Sequence, residues 1–238
     1  MDSVLSLTDS RRQKMFAGYS LGISLFSPMA NLYQIKRLHP SVNPSYLRMC
    51  ASIYPHQVGL RMLQVNLATP VKEHMNPWLA FGTLGVLQGC VYGQANVSFA
   101  KKLNLTRSLK LRNIFRGSGY AGVRDVISQG VPFMFSKKFS QRYLDPIWPS
   151  NDPFTNSVKH WSSVISTSVV ATYLSHGFHV CQTEMQTNTS LSYSGAIRQV
   201  YKDHGWRFLR KGAEARVGLL LVTNIFNEIF LKPAWDER

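Results

Sequence analysis

The chain has 238 residues, and 27 Lys and Arg against 12 Asp and Glu give it a net charge of +15. Such an excess invites a polyanion partner, yet only 16% of residues are charged and 45% are apolar, whereas soluble domains carry roughly 25% charged residues. The apolar content excludes disorder, and Cys50, Cys90 and Cys181, far apart and odd in number, offer neither a disulfide framework nor a zinc site.

In chain order, Arg11, Arg12 and Lys14 precede an apolar stretch. It is too long for a signal peptide and shows no cleavage site, so it starts a helix. Three windows then lack Asp, Glu, Lys and Arg: Met15–Ile35, His74–Ala100 and His160–Thr183. Each is long enough for a helix to cross a bilayer core of ~30 Å. Three further apolar stretches carry charges: Tyr46–Val71 with Arg61, Gly117–Ser136 with Arg124 and Asp125, and Ala215–Leu231 with Arg216 and Glu228. Uncharged and charged spans alternate, which predicts six helices in three pairs, with ionisable groups on the even helices facing an interior. The expectation is one all-α membrane domain over residues 1–238, with repeats at about 11–72, 73–150 and 151–238. The alternative is a soluble protein with long buried helices.

The odd spans share a packing signal. Gly18 and Gly22 lie in the first, Gly85, Gly89 and Gly93 in the second, and Ser163, Thr167, Ala171 and Ser175 in the third. Small residues four apart form a flat face against which a neighbouring backbone can approach closely. After the third odd span, Tyr193-Ser-Gly195 opens a short amphipathic helix with Ile197, Val200 and Tyr201 on one face. Gly205 ends it in the role of a left-handed cap.

This order of elements, with Phe115-Arg116-Gly117, Arg124–Phe135 and Gly177–Arg216, resembles the mitochondrial carrier family. Arg124–Phe135 is most similar to the fourth helix of the carnitine/acylcarnitine and basic amino-acid carriers. The resemblance implies a carrier bundle of six transmembrane helices with threefold pseudosymmetry, multi-pass in the mitochondrial inner membrane, with both termini facing the intermembrane space. Leu38–Ser45 and Asn104–Ile114 are short, so the matrix loops are pruned and the third repeat alone keeps a full matrix helix.

Carriers end each odd helix with proline, an acid and a base at fixed spacing, and those charges close one end. The same spacing here falls on Pro28, Ala30 and Tyr33, then Gln94, Asn96 and Phe99, then Gly177, His179 and Gln182. One proline survives and no acid–base pair does. The opposite gate is lost as well, with Ser136, Lys137 and Ser140 at its positions after Arg124. A hydrogen-bonded substitute would have to come from His179, Gln182, Asn96 and Tyr33. Without gates, alternating access has nothing to hold its two states.

Arg124 and Asp125, with Arg61 and Arg216 nearby on the even helices, correspond to substrate contacts in amino-acid carriers. Guanidinium and carboxylate could hold a zwitterion, or they could be a retained pair satisfied by Arg61, Glu228 or polar neighbours. Phe115, Arg116, Gly117, Tyr193, Gly195, Lys211 and Gly212 resemble the family's cardiolipin signatures, where helix N-termini and bases meet phosphate. A structural phospholipid is therefore expected, with no other cofactor. His176, His179 and Cys181 lack a fourth ligand for a metal, and no catalytic motif is present, so an enzyme is not expected.

The expected function is a non-transporting, carrier-like accessory subunit of an inner-membrane assembly such as a respiratory complex. Its partners would be membrane lipids and other subunits, not nucleic acid. The alternative is an active carrier of an amino acid, carnitine ester or similar small ion. On the implied topology, fourteen bases face three acids in the matrix loops, as the positive-inside tendency requires.

Overall fold

A computed structural model describes residues 10–106, 111–149 and 152–231. The described chain is helical. Six long helices, α1 (Ser10–Leu38), α2 (Tyr46–His74), α3 (Pro77–Lys102), α5 (Ser118–Phe139), α6 (Pro153–Thr187) and α8 (Ala213–Phe226), are joined by a single turn, α4 (Leu111–Ile114), and by α7 (Tyr193–His204). Both α5 and α8 continue as short π-helical turns, Ser140–Leu144 and Asn227–Leu231.

Helix limits follow local chemistry. Asn76 and Asp152 cap α3 and α6 by accepting from the Trp78 and Thr155 amides, each with proline in the first turn. Ser192 caps α7 through the Gly195 amide, and Gly205 ends it at φ +54°. Gly117 and Gly212 start α5 and α8 at φ +71° and +86°, values that favour glycine.

The long helices form a closed ring. Each packs on the next in the order α1, α2, α3, α5, α6 and α8, and α8 returns to α1. The odd helices α1, α3 and α6 also touch one another across the centre. Their C-terminal halves converge and close one end of the ring. Apolar packing is split among small clusters, one joining Phe16, Tyr19, Ile23, Val65 and Leu231 and another joining Leu32, Ile35, Met49, Ile53, Ala95 and Phe99.

The helices occur where the sequence predicts them, but the membrane expectation is overturned. Among the described residues, no helix is long and apolar enough to cross a membrane. This corrects both the six-transmembrane carrier bundle and the multi-pass inner-membrane location. The 29-, 26- and 35-residue helices fail on composition. Their inward faces carry Ser20, Ser24, Ser27, Asn31 and Gln34 on α1 and Ser163, Thr167, Ser168, Thr172 and Ser175 on α6. Absence of charge is not the same as apolarity.

Glycine fits two seams differently. A Cβ at Gly85, Gly89 or Gly93 of α3 would meet the Ala121 carbonyl, the Ser118 backbone or the Ile114 carbonyl, so α3 lies against the backbone of α5 and the turn before it. At Gly18 and Gly22 of α1, the three atoms nearest to a Cβ all belong to the rings of Phe230 and Phe226.

Candidate functional site

The ring interior is layered. At its middle lies a charged layer built from α2, α3, α5, α6 and α8. Arg61, Arg124, Asp125 and Arg216 are all buried there. Arg124 Nε donates to Asp125 Oδ1 at 2.5 Å, and its Nη1 donates to Gln182 Oε1 at 2.9 Å. Arg61 Nη1 donates to Gln64 Oε1 at 3.0 Å. Tyr92 of α3 has the Arg61 and Arg124 guanidinium carbons 5.1 and 5.0 Å from its ring centre, a cation–π arrangement on both.

Three guanidiniums and one carboxylate leave this layer positive among the described side chains; that of Glu228 lies outside them. Among the described residues, N–H groups stay unpartnered on all three arginines: Arg61 Nε and Nη2, Arg124 Nη2 and Arg216 Nη1. Burial, then Arg124, pulls Arg216 down to about 9. Burial also opposes charge on Arg124, but Asp125 outweighs it and holds Arg124 above its ordinary value. His179 is held well below its ordinary value by burial and then by Arg216 and Arg124. It is neutral, with Nδ1 placed 3.4 Å from Arg124 Nη1 to accept.

Below the charged layer, the converging odd helices are joined by amides. Asn96 Nδ2 donates to Gln186 Oε1 at 2.7 Å, and Gln186 Nε2 donates to the Gly89 and Arg116 carbonyls at 3.2 and 3.0 Å. Gln57 Nε2 donates to the Val91 carbonyl at 3.0 Å and to Gln94 Oε1 at 2.6 Å. Gln34 Nε2 and His176 Nε2 lie 3.2 and 3.0 Å from the Lys211 carbonyl. Burial takes His176 down to about 4, so it too is neutral. Above the charged layer sits a cavity of about 110 Å³, lined in part by Tyr19, Gln64, Gln88, Asp125, Gln129 and Asn227.

The positions that the resemblance sets against carrier gates therefore divide. Gln94, Asn96, His179 and Gln182 join the buried polar network, and Ala30 lines a small void of about 20 Å³ beside Arg216. Pro28 is buried within α1, Phe99 packs in an apolar cluster, and Gly177 lies against Leu209 and Phe208. Tyr33 instead points outward and donates its hydroxyl to Glu214 at 2.7 Å. Residues absent from the sequence expectation complete the interior: Gln34, Gln57 and Gln186 in the amide closure, Tyr92 in the charged layer and Asn31 at the small void with Ala30. A signal existed, because Asn31 and Gln34, and Gln182 and Gln186, share helix faces by spacing.

Three of the expected lipid residues, Phe115, Arg116 and Tyr193, come together at one groove of about 490 Å³, lined also by Met185, Ser190, Leu191 and Ser192. Arg116 is engaged there, donating to the Leu191 and Met185 carbonyls. The Tyr193 hydroxyl accepts from the Gly119 amide at 3.3 Å, and the Gly195 amide donates to Ser192. Lys211 and Gly212 lie apart from it, where α8 begins beside Gln34. Among the described residues, no cluster of His, Cys, Asp and Glu could hold a metal. No protein family matches the chain, and no curated protein does.

Proposed function

We propose that the protein is a non-transporting helical scaffold, a degenerate relative of the mitochondrial carriers, that acts as an accessory subunit of a larger assembly. The observation that carries this reading is the reversed distribution of polarity. The ring interior is lined by amides, hydroxyls and guanidiniums, while Leu25, Leu63, Leu79, Val170, Leu174 and Ile229 are each more than half exposed on its outer face. In this reading neighbouring subunits cover those apolar side chains. Closure by neutral amides fits a scaffold, because such bonds hold one state without a second set to exchange for. Phospholipid phosphate at the Phe115–Gly117 groove belongs to the same proposal.

Gentle purification followed by native mass spectrometry tests it. The expected result is a stoichiometric complex with other proteins. A well-behaved free monomer would overturn the reading.

A second reading is favoured by one feature, the unpartnered guanidinium N–H groups of the charged layer. It is a site for a small anion or zwitterion, with the amino-acid or carnitine-ester class suggested by the resemblance. A saturating ligand at a hundred times its Kd stabilises by about 2.7 kcal/mol. Glutamate, succinate and acetylcarnitine should therefore raise the melting temperature of the intact protein, and Arg124→Gln should remove the rise. No shift with any of them counts against the site.

A further inference from the structure

At the closed end, the corner between α1 and the turn joining α7 to α8 forms a groove of about 490 Å³, lined by Arg37, Asp203, His204, Arg207, Arg210 and Lys211. We infer that this groove docks an acidic polypeptide segment of a partner subunit, an inference that rests on the accessory-subunit reading.

Four bases crowd the groove. Lys211 Nζ lies 3.1 Å from His204 Nδ1. Burial and then Arg37 hold Lys211 below its ordinary value, and burial and then Lys211 do the same to His204. Arg37 is partly matched by Glu214 at 3.4 Å, but Arg207 and Arg210 are exposed and make no ion pair among the described residues. Like charges that outnumber their counter-charges favour an anion that bridges them.

The α1–α2 connection, residues 39–45, holds no helix. One feature selects a polypeptide over a phosphate polymer or anionic lipid headgroups, and a second fits it. Asp203 stands inside the groove, with Oδ2 accepting from Gln199 at 2.7 Å. It repels a uniform run of phosphates but suits a segment with one base among its acids. Beside the groove, Trp206 is 72% exposed, and Tyr201 meets it edge-on at 5.3 Å. Aromatic and arginine side chains together are the usual anchors of protein interfaces.

The test uses the full chain and a fluorescein-labelled glutamate-rich peptide carrying one Leu and one Lys, read by anisotropy. Arg207→Glu with Arg210→Glu should weaken binding by about tenfold or more. Arg198→Glu, on the exposed part of α7 away from the groove, should change it less than about twofold, and Trp206→Ala should weaken it by about fivefold. Raising the salt to physiological strength should weaken it further. Unchanged affinity in the doubly reversed variant, with its melting temperature intact, overturns the inference. So does an anionic vesicle or single-stranded RNA that competes better than unlabelled peptide. Wild-type protein found in a complex while failing the peptide test sinks the groove alone. A free monomer that binds the peptide sinks the accessory-subunit reading instead.

Discussion

The α3–α5 seam and the α1–α8 seam both place glycines of an odd helix against an even helix, but on different partners. Gly85, Gly89 and Gly93 face backbone and the Cβ atoms fixed to it at Asp125 and Ala121, and the same region is tied by Gln186 to the Gly89 and Arg116 carbonyls. Gly18 and Gly22 face the ends of two phenylalanine rings, and this seam is otherwise joined by Tyr33 to Glu214 and Gln34 to the Lys211 carbonyl. Backbone cannot step aside without moving a helix, whereas a ring can turn about its own torsions. One side of the ring is therefore fixed and the other adjustable, although the sequence marks both with the same small-residue spacing.

The largest effect should come from adding a methyl group on the fixed side. A Cβ at Gly93 would stand 2.0 Å from the Ile114 carbonyl oxygen and 3.0 Å from Gln186 Nε2. Gly93→Ala must separate α3 from the turn before α5 and disturb the buried amide bonds there. A loss of about 3 kcal/mol or more is expected, despite the ~1 kcal/mol that alanine contributes to helix propensity. Urea unfolding measures it. A loss under ~1 kcal/mol would show that this side is not fixed.

Buried histidines should make the ring sensitive to acid, and His176 offers the measurable case. His176 bonds the Lys211 carbonyl where α8 begins, and burial lowers it from 6.5 to about 4. A lowered histidine leaves the unfolded chain binding more protons between these two values, so stability is complete above about 6.5 and falls as pH drops toward 4. From pH 7 to pH 5 this group alone should cost about 2 kcal/mol. His176→Gln should flatten that part of the profile; an unchanged slope would place the acid sensitivity elsewhere.

How much of this was legible depends on what each residue shows in one dimension. Arg61, Arg124, Asp125 and Arg216 stood out because charge inside an apolar run is rare, and all four are buried in one layer. Gln57 and Gln186 did not stand out, because an amide in a helix looks the same whether it faces solvent or a neighbouring carbonyl. The helix order was readable from alternating charge, but the return of α8 to α1 was not, since it joins residues some two hundred apart. The membrane expectation failed on particular residues. Ser20, Ser24, Ser27 and Asn31 leave α1 without charge over Met15–Ile35, yet they make its inward face polar. Gly22 and Gly93 gave the same motif and different partners, which spacing cannot distinguish.

The smallest effect, and the sharpest discrimination between the seams, should come from Gly22→Ala. The new methyl would stand 1.8 Å from Cε1 of Phe226, nominally a closer clash than at Gly93. The clashing atom, however, is the far end of a side chain that stacks on Phe230 at 5.5 Å and lies edge-on to Phe26 at 6.4 Å. These rings can shift together, so overpacking should cost about 1–2 kcal/mol, partly offset by alanine's helix propensity, for a net loss of about 1 kcal/mol. Pairing it with Phe226→Leu removes the clashing ring edge, so the double variant should be more stable than the sum of the two single losses predicts. No second-site side-chain change should rescue Gly93→Ala in this way, because its clash is with a carbonyl that every residue at 114 carries. If Phe226→Leu fails to relieve Gly22→Ala, the α1–α8 seam is as rigid as the other and the two sides of the ring are mechanically alike.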